Sequence, residues 1–410
     1  MKGFFASILI AIGFLAVLEI GARLWDSVHR DLHAVRAAAE TDDREWSVFS
    51  PEVGWTLRPG YRGDVGGYRR VFDPNGHLAV DTRQIADRGA RKVLFIGDSN
   101  AFGVGTPTEH SFAEATERLS PGLVAINLAV PGYTSFQGRR VLDRALEDLQ
   151  PAAVVVSFNF NDKKIALAAL GPDSPEMVAG VARSAGGPLR ILRTCVRYSA
   201  ICQMLTAGLQ RAHLLSRRSE TFRVDHAPTR VDPEHYRENL RAMAEAAKRH
   251  GARMVFLILR DNPLYTQPVT EGIALLDSAR YDDAIAHLRF AVHADNPFSE
   301  VARIQLARAF RATGHTASAD SVLASGALVT TVFGGRPIHL DSEYNAIMRD
   351  VAAETGSALV DAGPTLLAHP NDFTDYCHFN AASHERVGAL IAAKLHDVLG
   401  GATGTQRGAP

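Results

Sequence analysis

The sequence predicts an α/β protein, a three-layer sandwich with a parallel five-stranded sheet, joined by a small α-helical insertion and an N-terminal membrane helix. Three observations carry that prediction. Short apolar runs rich in β-branched residues recur at Val93–Ile96, Val124–Leu128, Val154–Phe158, Met254–Leu259 and Leu359–Val360–Asp361. Helical patterns stand between and after them, near residues 112–119, 137–149, 232–249, 344–355 and 381–399, and this alternation is the signature of parallel strands with right-handed crossovers. Residues 3–18 and 267–325 fit neither strand nor crossover.

Composition limits the function before any motif is read. A chain of 410 residues with 46% hydrophobic content can bury a large core and holds more than one unit. A net charge of −1 gives no basic surplus for nucleic acid and no acidic tail. The three cysteines, Cys195, Cys202 and Cys377, are too few and too scattered for a disulfide framework or a zinc site. Cys195 and Cys202 are expected on one helix, which would keep their sulfurs too far apart to bond.

In chain order, residues 1–25 carry an apolar run from Gly3 to Leu18, preceded by Lys2 and followed by Glu19 and Arg23. That profile suits a membrane anchor with its charges at the interface, or a signal segment removed on export. Residues 26–87 read as a solvated juxtamembrane helix followed by an extended lead-in rich in Gly, Pro, Tyr and Arg. Residues 88–266 and 326–400 hold the α/β core, and 401–410 form a Gly/Thr/Ala-rich disordered tail. Between residues 163 and 230 the pattern is irregular. Leu189, Leu192, Val196, Ile201, Leu205 and Leu209 suit a core-covering helix, a lid or a membrane-contacting face.

The insertion, 267–325, resembles tetratricopeptide repeats at residues 279–285 and 291–297, with Ala307, Phe310 and Gly314 further on; a simple helical hairpin is the alternative. Two repeats are too few to stand alone, so the insertion must lean on the core. It is expected to offer a surface to a protein partner or to select substrate, and to be replaceable by a short linker.

The chemistry centres on Val93 to Gly103, an apolar strand ending in Gly97-Asp98-Ser99-Asn100. A serine at the carboxyl edge of such a strand sits where ligands bind in open α/β sheets, although the same triplet also suits a helix cap. A hydroxyl is too weakly acidic to attack a carbonyl unaided; a histidine must take its proton and a carboxylate must orient the histidine. Asp375-Tyr376-Cys377-His378 supplies both in one turn before a helix. Donors for a developing oxyanion follow two other strands, at Gly132 and Asn161.

These four segments resemble the blocks of the SGNH or GDSL hydrolases: Gly97-Asp98-Ser99-Asn100, Asn127 to Gly132, Asn159-Phe160-Asn161-Asp162, and Asp375 to His378. Asn159 stands where that family usually has glycine. The resemblance implies a flavodoxin-like sheet, Ser99 as nucleophile, His378 as base and Asp375 as its partner. It also implies an oxyanion hole from the Ser99 and Gly132 N–H groups and the Asn161 amide, with Asp98 in support. No metal or other cofactor is implied. An α/β-hydrolase elbow is disfavoured because Ala101 stands where that motif has its last glycine. The expected function is a membrane-anchored, extracytoplasmic serine esterase acting on an acylated glycan or lipid of the cell envelope. Two alternatives follow: O-acyl transfer to a glycan through the same Ser-His-Asp set, and a catalytically silent binding protein using the repeats.

Overall fold

The computed structural model describes residues 13–14, 16–25, 45–78, 90–164, 166, 171–185, 195–196, 199–211, 228–293, 298–324 and 342–400. The lead-in forms two ribbons, β1 (Ser47–Ser50) with β2 (Gly54–Leu57), and β3 (Arg62–Val65) antiparallel to β4 (Tyr68–Val71). Strand β5 (Arg91–Gly97) opens the alternation, followed by α1 (Phe112–Leu119), β6 (Leu123–Asn127), α2 (Ser135–Leu149) and β7 (Ala153–Ser157). Helices α3 (Pro175–Ala185) and α4 (Ala200–Arg211) precede α5 (Pro233–Arg249) and β8 (Arg253–Ile258). Then come α6 (Pro263–Asp277), α7 (Tyr281–His293), α8 (Ser299–Ala312) and α9 (Thr316–Ala324). Helix α10 (Glu343–Thr355), β9 (Ala358–Asp361) and α11 (Ala381–Gly400) complete the described elements.

The chain divides into two units, residues 1–55 with 178–220, and residues 56–177 with 221–410. The second unit holds the sheet, whose order β6-β5-β7-β8-β9 is parallel throughout and is the flavodoxin-like order expected. Strands β6 and β7 are buried along their whole length, as continuous apolar runs between two helical layers must be. Helix α1 packs with α11, and α5 packs with α2 and α10, giving those layers. Helix starts fall where the sequence supplies acceptors: the Asp232 side chain takes the His235 N–H at 2.9 Å, and Asn262 takes that of Leu264 at 3.0 Å.

Helices α6 to α9 give two helix pairs between β8 and β9, and their likeness to tetratricopeptide repeats rests on the sequence alone. Their core is continuous with the segments around Asn161 and His378. Val269, Ile273, Leu276, Leu288 and Ala291 share one buried cluster with Phe160 and Cys377, against which Tyr376 also packs. The expected leaning on the core takes this form: α6 begins at Pro263, and its apolar residues share one cluster with Phe160 and Cys377, which flank Asn161 and His378.

His384 lies in the core: its Nδ1 accepts the Phe112 N–H at 3.3 Å, and its ring lies 4.4 Å from that of Phe379. One further expectation changes. Cys195 and Cys202 are joined by a disulfide, because they do not share one continuous helix. Ser199 interrupts it, its N–H bonding the Cys195 carbonyl and its hydroxyl accepting the Cys202 N–H at 3.3 Å as the cap of α4.

The first unit contains helical residues 16–25 and helix α4, which meet at Ala22, Ala200 and Ile201. The membrane segment expected over residues 1–25 lies mostly outside the described residues. No helix among the described residues is long and apolar enough to cross a membrane.

Candidate active site

Ser99 begins a single helical turn, Ser99–Phe102, directly after β5. The tightness of that turn is a matter of sterics: a Cβ on Gly97 would lie 2.5 Å from the Ala101 methyl and 2.7 Å from the Ser157 carbonyl oxygen. Asp98 caps the turn by accepting the Asn100 N–H at 2.9 Å, and burial pushes its carboxyl above the ordinary range. So the Gly-Asp-Ser triplet does cap a helix, and it also presents the hydroxyl at the sheet edge.

His378 reaches that hydroxyl across 279 positions of sequence, its Nε2 lying 2.8 Å from Ser99 Oγ. Its Nδ1 is 2.6 Å from Asp375 Oδ2, while Asp375 Oδ1 accepts the backbone N–H groups of Cys377 and His378, each at 2.8 Å. Partial burial would raise the Asp375 pKa; the His378 hydrogen bond and charge and the two N–H donors outweigh it and hold the carboxyl at about 2. The imidazole is thus oriented from one side by an ionised carboxylate and offered to the hydroxyl on the other. Asp375, Cys377 and His378 lie close enough for a metal's donor set. Both imidazole nitrogens are engaged, however, and burial pushes the Cys377 thiol well above its ordinary pKa, so the set is a poor match for a cation.

The donors expected after β6 and β7 are tied to the same edge. Asn161 Nδ2 donates to the Tyr133 carbonyl at 3.0 Å and lies 3.5 Å from Asp98 Oδ2, which links block three to blocks one and two. Gly132 is fixed through its carbonyl, which accepts Arg230 Nη1 at 2.8 Å; Arg230 in turn pairs with Asp173 at 2.7 Å. Asn127 adds a second tie, donating to the Ala101 carbonyl at 2.8 Å. Strands β5 and β7 are neighbours whose connections leave in opposite directions, so Ser99 and Asn161 stand at the topological switch point of the sheet.

Several supporting contacts were not visible in the sequence. Asn159, in the family's glycine position, donates to Asn345 Oδ1 at 2.8 Å and accepts from Ser342 Oγ at 3.0 Å, tethering block three to the start of α10. Arg70 of β4 is fully buried, donating to Thr108 Oγ1 and to the carbonyls of Gly103 and Thr106 at 2.6–2.7 Å. It clamps the loop holding Gly105, where a Cβ would meet the Phe379 carbonyl at 2.8 Å, one residue beyond His378. Asn262 donates its side-chain amide to the Asp375 carbonyl and its N–H to the Tyr376 carbonyl, both at 2.9 Å. Each partner is remote in sequence, so no local pattern announces it.

With this geometry in view, residues 95–294 match the model of the GDSL-like lipase/acylhydrolase family, and the chain carries a domain of that family. Among solved structures it is similar to TesA, at 15% identity over 75% of this chain and 99% of that one, with a TM-score of 0.36. It is also similar to the psychrotrophic esterase EstA from Pseudoalteromonas sp., at 12% identity, with 76% and 99% of the chains covered and a TM-score of 0.36. The lipase/acylhydrolase from Enterococcus faecalis is a third, at 13% identity, 75% and 96% coverage and a TM-score of 0.36. No curated protein matches the chain.

Proposed function

We propose that this GDSL-family acylhydrolase is a serine esterase that removes acyl groups from a glycan or lipid of the cell envelope through an acyl-serine intermediate. The observation that carries the reading is the unbroken chain Ser99 Oγ, His378 Nε2, His378 Nδ1 and Asp375 Oδ2, at 2.8 and 2.6 Å. Ser99 Oγ attacks the ester carbonyl as His378 Nε2 takes its proton, and Asp375 stabilises the resulting imidazolium. The oxyanion is met by the N–H groups of Ser99 and Gly132 and the Asn161 amide, with Asp98 holding the turn that carries Ser99. His378 returns the proton to the departing alcohol. Water, activated by the same imidazole, then releases the acid and restores Ser99.

The same reading puts the catalytic domain outside the cytoplasm, held at the membrane by residues 1–25. The Cys195–Cys202 disulfide supports it, since such bonds persist in oxidising compartments. In this reading residues 267–325 offer a surface to a protein partner. A fluorophosphonate probe tests the assignment: the purified protein is expected to gain one adduct, mapped by peptide mass to Ser99. An adduct elsewhere, or none, rejects the serine mechanism.

A further inference from the structure

Residues 16–25 form a helix with its polarity inverted relative to a water-facing surface helix. Phe14, Val17, Leu18 and Ile20 are exposed, Val17 to 66%, whereas Ala22 is buried against α4. The charged Glu19 turns toward the protein. A helix at an aqueous surface buries its apolar stripe and exposes its polar one. This one does the reverse, apart from the exposed Arg23 that pairs with Glu19, and it begins within the apolar run Gly3 to Leu18 in the sequence.

Glu19 does not simply neutralise itself on that inner side. Its Oε1 accepts the Ala200 N–H at 2.9 Å, and its Oε2 accepts the Ser199 hydroxyl at 2.8 Å and the Ile201 N–H at 3.3 Å. Arg23 Nε adds a fourth donor at 2.8 Å. A carboxylate from one end of the chain thereby caps the free N–H groups of a helix 180 positions away, the favourable end for negative charge. The Cys195–Cys202 disulfide fastens the same helix start.

Beyond that start, α4 presents Met204, Leu205 and Leu209 to the outside, with Leu205 exposed to 62%. At 100° per residue these positions, with Gly208, lie on the stripe that Ile201 begins, and Ile201 packs at the junction with Ala22. Gln203, on the other side, is buried and bonds the Val196 carbonyl at 2.8 Å. The exposed apolar surfaces of the two helices therefore flank one junction within one unit.

We propose that helix Ala200–Arg211 is a second membrane-contacting element, seated at the lipid interface beside residues 16–25 and latched to them through Glu19. The occupant of its exposed stripe is the bilayer. The inverted polarity of residues 16–25 and their continuity with the Gly3–Leu18 run identify it, since both helices share the junction at Ala22. The inference rests on the membrane reading of residues 1–25.

Spin labels test it in the full-length protein reconstituted into phosphatidylethanolamine/phosphatidylglycerol vesicles. Cys195 and Cys202 are bonded and Cys377 is buried, so a single introduced cysteine is labelled selectively without reductant. Labels go at Leu205→Cys, at Val17→Cys for the anchor, and at the exposed Glu147→Cys as an aqueous control. Leu209→Cys replaces Leu205→Cys if that variant misfolds. The expected result is an oxygen-to-nickel accessibility ratio at position 205 several-fold above that at 147 and similar to that at 17. A lipid-like ratio at 17 with an aqueous ratio at 205 would leave the anchor standing and overturn the second contact. A label at 205 shielded from both reagents would mean that protein covers the stripe, and would overturn it equally. Aqueous ratios at both positions, with no flotation of vesicles and protein together, would reject the anchor and the second contact with it.

Discussion

The turn that carries Ser99 and the turn that carries His378 are held in opposite ways. The serine turn is built from its own neighbours: Gly97 admits the close approach, Asp98 caps, and the Val104 N–H returns to the Ser99 carbonyl at 2.9 Å. The histidine turn orients its imidazole locally through Asp375, but its backbone is held from outside. Asn262 fixes the carbonyls of Asp375 and Tyr376; the Tyr376 ring stacks on Phe160 at 5.5 Å, and Cys377 is buried in the core of the inserted helices. The turn of the proposed nucleophile is thus a property of a short segment, whereas the turn of the proposed base shares its core with an insertion that supplies none of the proposed reacting groups.

Breaking that shared core gives the largest expected effect short of removing the triad. Replacing residues 267–325 with a Gly/Ser linker strips the packing partners of Phe160 and Cys377, and misplacing a catalytic group by about 1 Å costs on the order of 100-fold. Hydrolysis of a small aryl acetate by the folded, linker-bearing protein is expected to fall by at least that much. Retained activity would show that the histidine turn stands alone.

Asn161 sharpens the comparison from the serine side. Asn161→Ala removes one oxyanion donor and is expected to lower kcat by about 2.7–4 kcal/mol in barrier terms, with KM little changed. An unchanged kcat would assign the amide only to its bond with the Tyr133 carbonyl.

The smallest effect concerns stability. Burial pushes His384 down to about 3 from an ordinary 6.5, so the folded state resists protonation where the unfolded chain accepts it. The stabilising contribution of the neutral ring is complete above pH 6.5 and is lost as pH falls toward 3, by up to about 1.4 kcal/mol per pH unit. Urea titrations between pH 6.5 and 4 are expected to show that slope, and His384→Gln is expected to reduce it by one proton's worth.

The sheet order and the family's blocks were legible because each is written locally: an apolar run, a turn, an acid three residues before a histidine. What was not legible depends on pairings distant in sequence. Asn159, where the family usually has glycine, binds Ser342 and Asn345. Arg70, one of several arginines of the lead-in, is a buried clamp on the loop after Ser99. The cysteine pair was misread because Ser199 breaks the helix assumed to separate the two sulfurs. The insertion was recognised as helical, while its packing on Phe160 and Cys377 had no sequence signature.

The most direct measurement is the turnover of an aryl acetate by Ser99→Ala compared with the parent protein at equal thermal stability. The methyl that replaces the hydroxymethyl group leaves the Gly97–Asp98 turn and the His378–Asp375 bond in place, so the melting temperature is expected to hold. Turnover is expected to fall by several orders of magnitude, as losses of a triad nucleophile do. A stable alanine variant that kept more than about a tenth of the parent rate would contradict the account, since removal of a working nucleophile costs far more than that.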